Sequence, residues 1–267
     1  VGDALRTYGT LARVWLRAAA QYPVSMVLLG VASAAIAGLD AAGIGLLFAR
    51  VHRLGGFGAA QVLFLYATSQ LAFVLSDALL GNADLLARHV REGTFDAMLL
   101  RPVSPLVQVA TEEYSPRRFA KLVLPAVLLA VVLPRLDTDW TAGRVAMVPV
   151  MVVSGTAIFC GFWVLVASVQ FVLLESHGAG KALTFGGSFL TQYPMSVFAR
   201  DFVRGVTFAV PLAFVNWQPA LYVLDRPDPL GLPAAARLAS PAVAVAVCGL
   251  AALAWRAGLR RYRSTGS

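Results

Sequence analysis

Long uncharged stretches alternate with short charged breaks along this chain, and the length of each stretch limits what it can be. Crossing a hydrocarbon core of about 30 Å takes roughly 20 helical residues at 1.5 Å each. Val24 to Leu39, continuing past a lone Asp40 to Ala49, is one such run, and Phe57 to Ser76 is the next. Leu122 to Pro134 is shorter and needs Phe119 and the stem of Lys121, while Val145 to Leu174 exceeds one crossing. Ala182 to Ala199, Gly205 to Leu224 and Leu238 to Trp255 bring the total to seven runs. None has the short, cleavable form of a signal peptide. The pattern predicts an all-α integral membrane protein, a single unit over 1–267.

Seven runs pose a parity question that the arginines address, because cytoplasmic flanks concentrate Lys and Arg. Arg6, Arg13 and Arg17 precede the first run, and Arg256, Arg260, Arg261 and Arg263 follow the last. Both termini therefore read as cytoplasmic, which requires an even number of crossings: six, with one run entering and leaving on the same face. Gly205 to Leu224 suits that role, since Pro211 and Pro219 each remove a backbone donor and break a helix, with Asn216, Trp217 and Gln218 between them. Irregular backbone at membrane depth survives only inside protein or beside a wet cavity. The expectation is an outer re-entrant pair of half-helices over 199–225, after a fifth span at 182–199. That choice leaves Arg200 and Arg204 outside. The alternative, with 205–224 as the fifth span and 182–199 interfacial, fits the charge rule better.

The largest polar excursion, 82–117, falls between the second and third spans and is cytoplasmic in this topology. Gly93 is placed to end one helix in a left-handed conformation, and Thr94 to cap the next through its hydroxyl. Asp96 suits the positive end of that helix, and Pro102 stops it. Phe95, Met98 and Leu99 are expected to project as apolar knobs, a form suited to a partner's groove. An ordinary solvated loop carrying a surface helix is the competing reading.

Composition agrees with the runs: 58% hydrophobic and 13% charged residues, against roughly 25% charged in soluble domains. Mean hydropathy is +0.72. The net charge of +8 gathers at the predicted membrane edges, so anionic lipid explains it better than nucleic acid. Arg6, Arg13 and Arg17, spaced by seven and four, lie on one face of a helix whose Leu5, Ala12, Trp15, Leu16 and Ala19 are mostly elsewhere. Residues 1–22 are thus expected to form an interfacial amphipathic helix that turns at Tyr22-Pro23.

Several motifs suggest enzymatic or metal chemistry and fail on inspection. His177-Gly178-Ala179-Gly180-Lys181 resembles a phosphate loop, but Glu175 and Ala182 stand where Gly and Ser or Thr are required. Glu112-Glu113-Tyr114-Ser115-Pro116-Arg117 has the E-E-x-x-x-R spacing of intramembrane proteases, with a potential partner in His52. The topology puts His52 and Glu112 on opposite faces, and His89 and His177 lack partners at ligand spacing. No metal site and no catalytic residue is assigned. Glu112, Glu113, Arg117 and Arg118 read instead as a charge cluster that anchors the third span or meets a partner. Asp77 belongs at the cytoplasmic exit of the second span. Cys160 and Cys248 sit in apolar runs as small hydrophobes. Asp40 is a costly intramembrane carboxylate, either functional or bonded to a neighbouring helix. Gly38, Gly43 and Gly45, with Ala34, Ala35, Ala37, Ala41 and Ala42, give the first span a smooth face for a bundle or dimer contact.

The run Gly93-Thr94-Phe95-Asp96-Ala97-Met98-Leu99-Leu100-Arg101-Pro102-Val103-Ser104 resembles a cytoplasmic segment of ABC-2 type transporter permeases. Tyr193-Pro194-Met195-Ser196, Val210-Pro211-Leu212-Ala213-Phe214-Val215-Asn216 and Gln218-Pro219-Ala220 are similar to the fifth-span end and re-entrant region of one branch. Phe95-Asp96 replaces the Leu-Glu of many relatives and keeps an apolar knob beside a charge. The resemblance implies six spans per subunit, a dimer with an identical or homologous second permease, and two copies of a separate ATPase subunit that binds ATP and Mg. This chain would hold no cofactor. By the same resemblance Thr94 to Arg101 is the coupling helix, with Glu92, Gly93, Phe95, Asp96, Met98, Leu99, Arg101 and Pro102 at the contact. Pro194, Pro211, Asn216 and Pro219 would shape the pathway. The expected function is the permease of an exporter for a lipid-like, amphipathic or drug-like substrate. The alternative is a secondary transporter driven by an ion gradient, with Asp40 as proton carrier. The Ala- and Arg-rich composition resembles that of high-GC bacteria and suggests a bacterial plasma membrane.

Overall fold

The computed structural model describes residues 6–10, 13, 14, 17, 21, 23–112, 117–173 and 180–262. Those residues form helices and turns, with an isolated bridge between Leu54 and Phe57 in place of any sheet. Five of the long apolar runs, free of partners for their backbone except within themselves, become long helices. Helix α1 spans Pro23–Arg50, α2 Ala59–Leu80, α6 Arg117–Val132, α7 Ala142–Gln170 and α11 Ser240–Arg261. Between α2 and α6 lie three short helices: α3 (Leu86–Arg91), α4 (Thr94–Leu99) and α5 (Pro105–Thr111).

Helix α2 occupies the centre, with α6 on one flank and α7 on the other, while α1 attaches beyond α6 and α11 beyond α7. Aromatic side chains fill the joint: Phe73 of α2 meets Phe159 and Trp163 of α7 at 5.4 and 6.2 Å between centroids. The Trp163 indole donates to Ser76 Oγ at 3.2 Å. Close approach of α7 and α11 depends on glycine, since a Cβ on Gly161 would stand 2.6 Å from Val247, and one on Gly258 would stand 2.4 Å from Phe171.

Among the described residues three helical stretches, Ala59–Arg91, Ala142–Gln170 and Ser240–Arg261, are long and apolar enough to cross a membrane. A fourth comes from Arg200–Phe208 (α9) and Leu212–Val223, if that bent pair is one span. The 78° bend is the geometry of a broken span or of a re-entrant loop. Helix α6 has 16 residues with Pro125 inside, and α1 has 28, about 42 Å at 1.5 Å per residue.

Two expectations need correction. The run 182–199 is not one helix: a π-helical turn at Ala182–Gly186 leads into a short α-helix, together α8 (Ala182–Thr191), and the chain then breaks at Gln192-Tyr193-Pro194. Proline keeps the residue before it out of the helical region, and a 3-10 turn follows at Met195–Val197. Pro219 does not break its segment either. It lies in the first turn of α10 (Trp217–Val223), where a missing N–H leaves no bond unmade, so the bend falls at Pro211 alone. Of the expected amino-terminal helix, residues 6–10 are helical and Arg6, Arg13 and Arg17 are exposed; Leu5, Ala12, Trp15, Leu16 and Ala19 lie outside the described residues. So do Glu113 to Pro116, 174–179 and Arg263.

Candidate functional site

The segment between α2 and α6 folds back against the base of the bundle. Gly93 takes φ +69°, the left-handed geometry expected at the end of α3, and lets α4 start at once. Thr94 does not cap α4 through its hydroxyl, because it is already the first helical residue. Its Oγ1 instead meets His89 Nδ1 at 2.9 Å and donates to the His89 carbonyl at 3.3 Å. The other ring nitrogen of His89 lies 2.6 Å from Glu112 Oε2, so one buried imidazole joins the start of α4 to the end of α5. At the far end of α4, Gln108 Nε2 donates to the carbonyls of Met98 and Val103 at 2.8 and 2.9 Å. It thereby reinforces the turn that ends α4, where the Met98 carbonyl also accepts from the Arg101 N–H at 3.4 Å.

The expected row of three apolar knobs divides in two. Phe95 is fully buried and Met98 nearly so, whereas Leu99 is 43% and Leu100 88% exposed. Phe95 and Met98 (i, i+3) point into protein, Leu99 (i+4) lies at the edge of the same stripe in the last residue of the helix, and Leu100 just past it faces out. Phe95 packs on Phe171, just past α7, and on Tyr262, just past α11, at 5.5 and 5.0 Å. Asp96 accepts a hydrogen bond from the Tyr262 hydroxyl at 3.0 Å. Burial, followed by the hydrogen bond and charge of Asp96, pushes the Tyr262 phenol above its ordinary range.

Further ties reach the same segment from other helices. Gln170, fully buried at the end of α7, accepts from the Ala87 N–H at 2.9 Å and donates to the Asp84 carbonyl at 3.3 Å. Arg118, near the start of α6, donates to the Asp77 carbonyl at 2.7 Å and to Asn82 Oδ1 at 2.5 Å, and Asn82 donates to the Glu112 carbonyl. Gly81 makes room for this network, since a Cβ there would overlap the Asp77 carboxylate. Tyr8 of the amino-terminal segment donates to the Leu79 carbonyl at 2.9 Å. Arg118 and Asp77 thus do anchor α6, while Glu112 turns to His89 and Glu113 lies outside the described residues.

Among the expected contact residues, Glu92, Thr94, Met98 and Arg101 line one open cavity of about 480 Å³ together with His89 and Gln108. Phe95 and Asp96 face the helix ends instead, and Pro102 is exposed. The remaining expected residues are elsewhere. Asn216 is buried at the bend and donates to the carbonyls of Leu65 and Thr191 at 3.0 and 2.8 Å. Pro194 precedes Ser196, whose hydroxyl donates to the Gly55 carbonyl at 2.7 Å. Asp40 opens on a separate cavity of about 290 Å³, between α1, α2, α6 and α8, with Tyr66, Gln70 and Lys121 among otherwise apolar walls. His52 and Glu112 fall at opposite ends of α2, separated by about 33 Å of helix. Among the described residues no three of His, Cys, Asp and Glu gather as metal ligands.

Gln108, Gln170 and Tyr262 were not legible as parts of this site. A lone glutamine in an apolar stretch is a signal of sorts, because a buried amide must find partners. Nothing in the sequence says which.

The family described as ABC-2 family transporter protein matches residues 34–266. No curated protein and no solved structure matches the chain.

Proposed function

From the premise that the chain belongs to the ABC-2 family of transporter proteins, we propose that it is the membrane subunit of an ATP-binding cassette exporter and that α4 receives a separate ATPase. The observation that carries this reading is the two-sided character of α4. Phe95 and Met98 lock one side to the ends of α7 and α11, while Leu99 at the rim of that side and Leu100 just past the helix stay open to whatever approaches. A helix built that way passes a push on its outer face to the two spans behind it.

ATP and magnesium belong to the ATPase, two copies of which would serve a pair of permeases. The work of this chain is to bind that partner differently in two arrangements of its helices, because only a difference in affinity shifts their populations. Tethers from α4 and α5 to α6, α7 and α11 make the base of the bundle move as one piece. The apolar walls around Asp40, with Phe73, Phe185 and Phe189, support a lipid-like or amphipathic substrate, and the membrane would be the bacterial plasma membrane with both termini inside.

Leu99→Glu is expected to lower the recovery of a co-purifying ATPase at least tenfold while leaving the thermal unfolding of the permease unchanged. Undiminished recovery of the ATPase with Leu99→Glu would overturn the assignment. The position of Asp40 beside a cavity favours a second reading, transport driven by an ion gradient. That reading requires solute movement in vesicles free of ATPase, abolished by Asp40→Asn.

A further inference from the structure

At the end of α2 opposite α3–α5, three arginines from separate parts of the chain line one cavity of about 290 Å³. Arg53 comes from the turn between α1 and α2, Arg135 from the turn after α6, and Arg226 from the stretch after α10. Asp137 is the one carboxylate in the lining, so positive charge exceeds negative by three to one. Among the described residues none of the three guanidiniums lies within ion-pair distance of a carboxylate. Nearby Arg144, by contrast, holds Asp225 at 3.0 Å.

We infer that this cavity is a binding site for a phosphate-type oxyanion. Like charges held together in a concavity repel one another, and an anion placed between them removes that cost. Two of the arginines are already oriented for the purpose. Arg226 lies over the Phe57 ring at 5.7 Å and donates to Gln61 Oε1 at 3.4 Å, and Arg135 donates to the Val131 carbonyl at 3.3 Å. Arginine matches phosphate through paired N–H groups in a rigid plane, so orientation in advance lowers the entropy lost on binding. The first turn of the 22-residue α2 borders the same cavity at Ala59 and Ala60, and a helix start directs its unused N–H groups at an anion. Gln61 accepts from the Gly58 N–H at 3.2 Å, which fixes that first turn in place.

Where α1 gives way to α2 the chain leaves its apolar runs, so the anion is either a lipid headgroup or a soluble phosphate. The two sources separate in nanodiscs holding the whole chain. In discs of phosphatidylcholine alone, inorganic phosphate binding is read by calorimetry. In discs doped with phosphatidylglycerol, anionic lipid retained per chain is read by native mass spectrometry. The triple variant Arg53→Gln/Arg135→Gln/Arg226→Gln should lose at least tenfold in one of these assays. Arg260→Gln, at the opposite end of α11, should lose nothing. Saturable phosphate binding abolished in the triple variant assigns a soluble anion. One retained phosphatidylglycerol per chain, lost in the triple variant, assigns a headgroup. The inference is overturned if neither ligand binds stoichiometrically, or if Arg260→Gln weakens binding as much as the triple variant does. Should the triple variant fail to fold, Arg53→Gln alone, at an exposed turn, is expected to weaken the same binding at least threefold, and no change there is equally fatal.

Discussion

Phe95 is a fully buried ring in the core at the base of the molecule. Its ring is enclosed by Phe171 and Tyr262, and the small core around it also holds Leu86, Val90, Met98, Val109 and Trp255. Emptying that position removes both the transfer term and the contacts of the cavity left behind. Phe95→Ala is expected to destabilise the segment by about 3 kcal/mol. Tyr262→Phe, which keeps the ring and removes one hydrogen bond, should cost about 1 kcal/mol. Limited proteolysis of the 82–112 stretch in detergent reads both, and equal susceptibility of the two variants would show that ring burial is not what holds α4. The Tyr262 phenol is held above its usual value in the folded chain, so the sign is that of a raised group. Its contribution is complete below the unfolded value of about 10 and fades only as pH climbs through the higher folded one.

At the scale of elements, the α3–α4 junction turns on Gly93, whose φ of +69° is comfortable only without a Cβ. Gly93→Ala should cost about 1 to 2 kcal/mol in this left-handed geometry, and Gly93→Asn less, because asparagine visits that region readily. Thermal melts of the two variants decide the matter: identical losses would mean that crowding, not backbone conformation, governs the junction. This much was legible in advance, since a glycine before Thr94 and a proline at 102 punctuate the chain locally. What escaped was direction. Whether Phe95 faces water or protein depends on Tyr262, whose partner Asp96 is 166 positions away, and no local pattern records such a pairing. Hydropathy also counts apolar residues without asking whether one helix contains them. For that reason 182–199 read as a crossing although Pro194 interrupts it, and Pro219 read as a break although it sits where a helix tolerates proline.

At the scale of the whole molecule, the unfinished surface is α1. Val27, Val31, Ile36, Leu39 and Leu46 are all more than 60% exposed, and among the described residues nothing would meet a Cβ on Gly38, Gly43 or Gly45. These three glycines therefore serve no contact within the described bundle, which leaves lipid or a second permease to cover them. With Cys160 and Cys248 replaced by serine, Gly38→Cys or Gly45→Cys is expected to cross-link two copies in native membranes, whereas Val245→Cys, at an exposed position of α11, is not. Cross-links at Val245 as abundant as those in α1 would discard α1 as the paired surface. Asn216 bears on a different question, the order in which the chain is made. Its amide closes the carbonyl end of α8, synthesised 25 residues earlier, and reaches back 151 residues to Leu65. Until Asn216 is made, α2 and α8 meet through Ser69 and Thr191, whose hydroxyls lie 2.6 Å apart, without the amide that closes both backbones. A ribosome that stalled before residue 216 would have made about four-fifths of the chain and left α2 and α8 without that clasp.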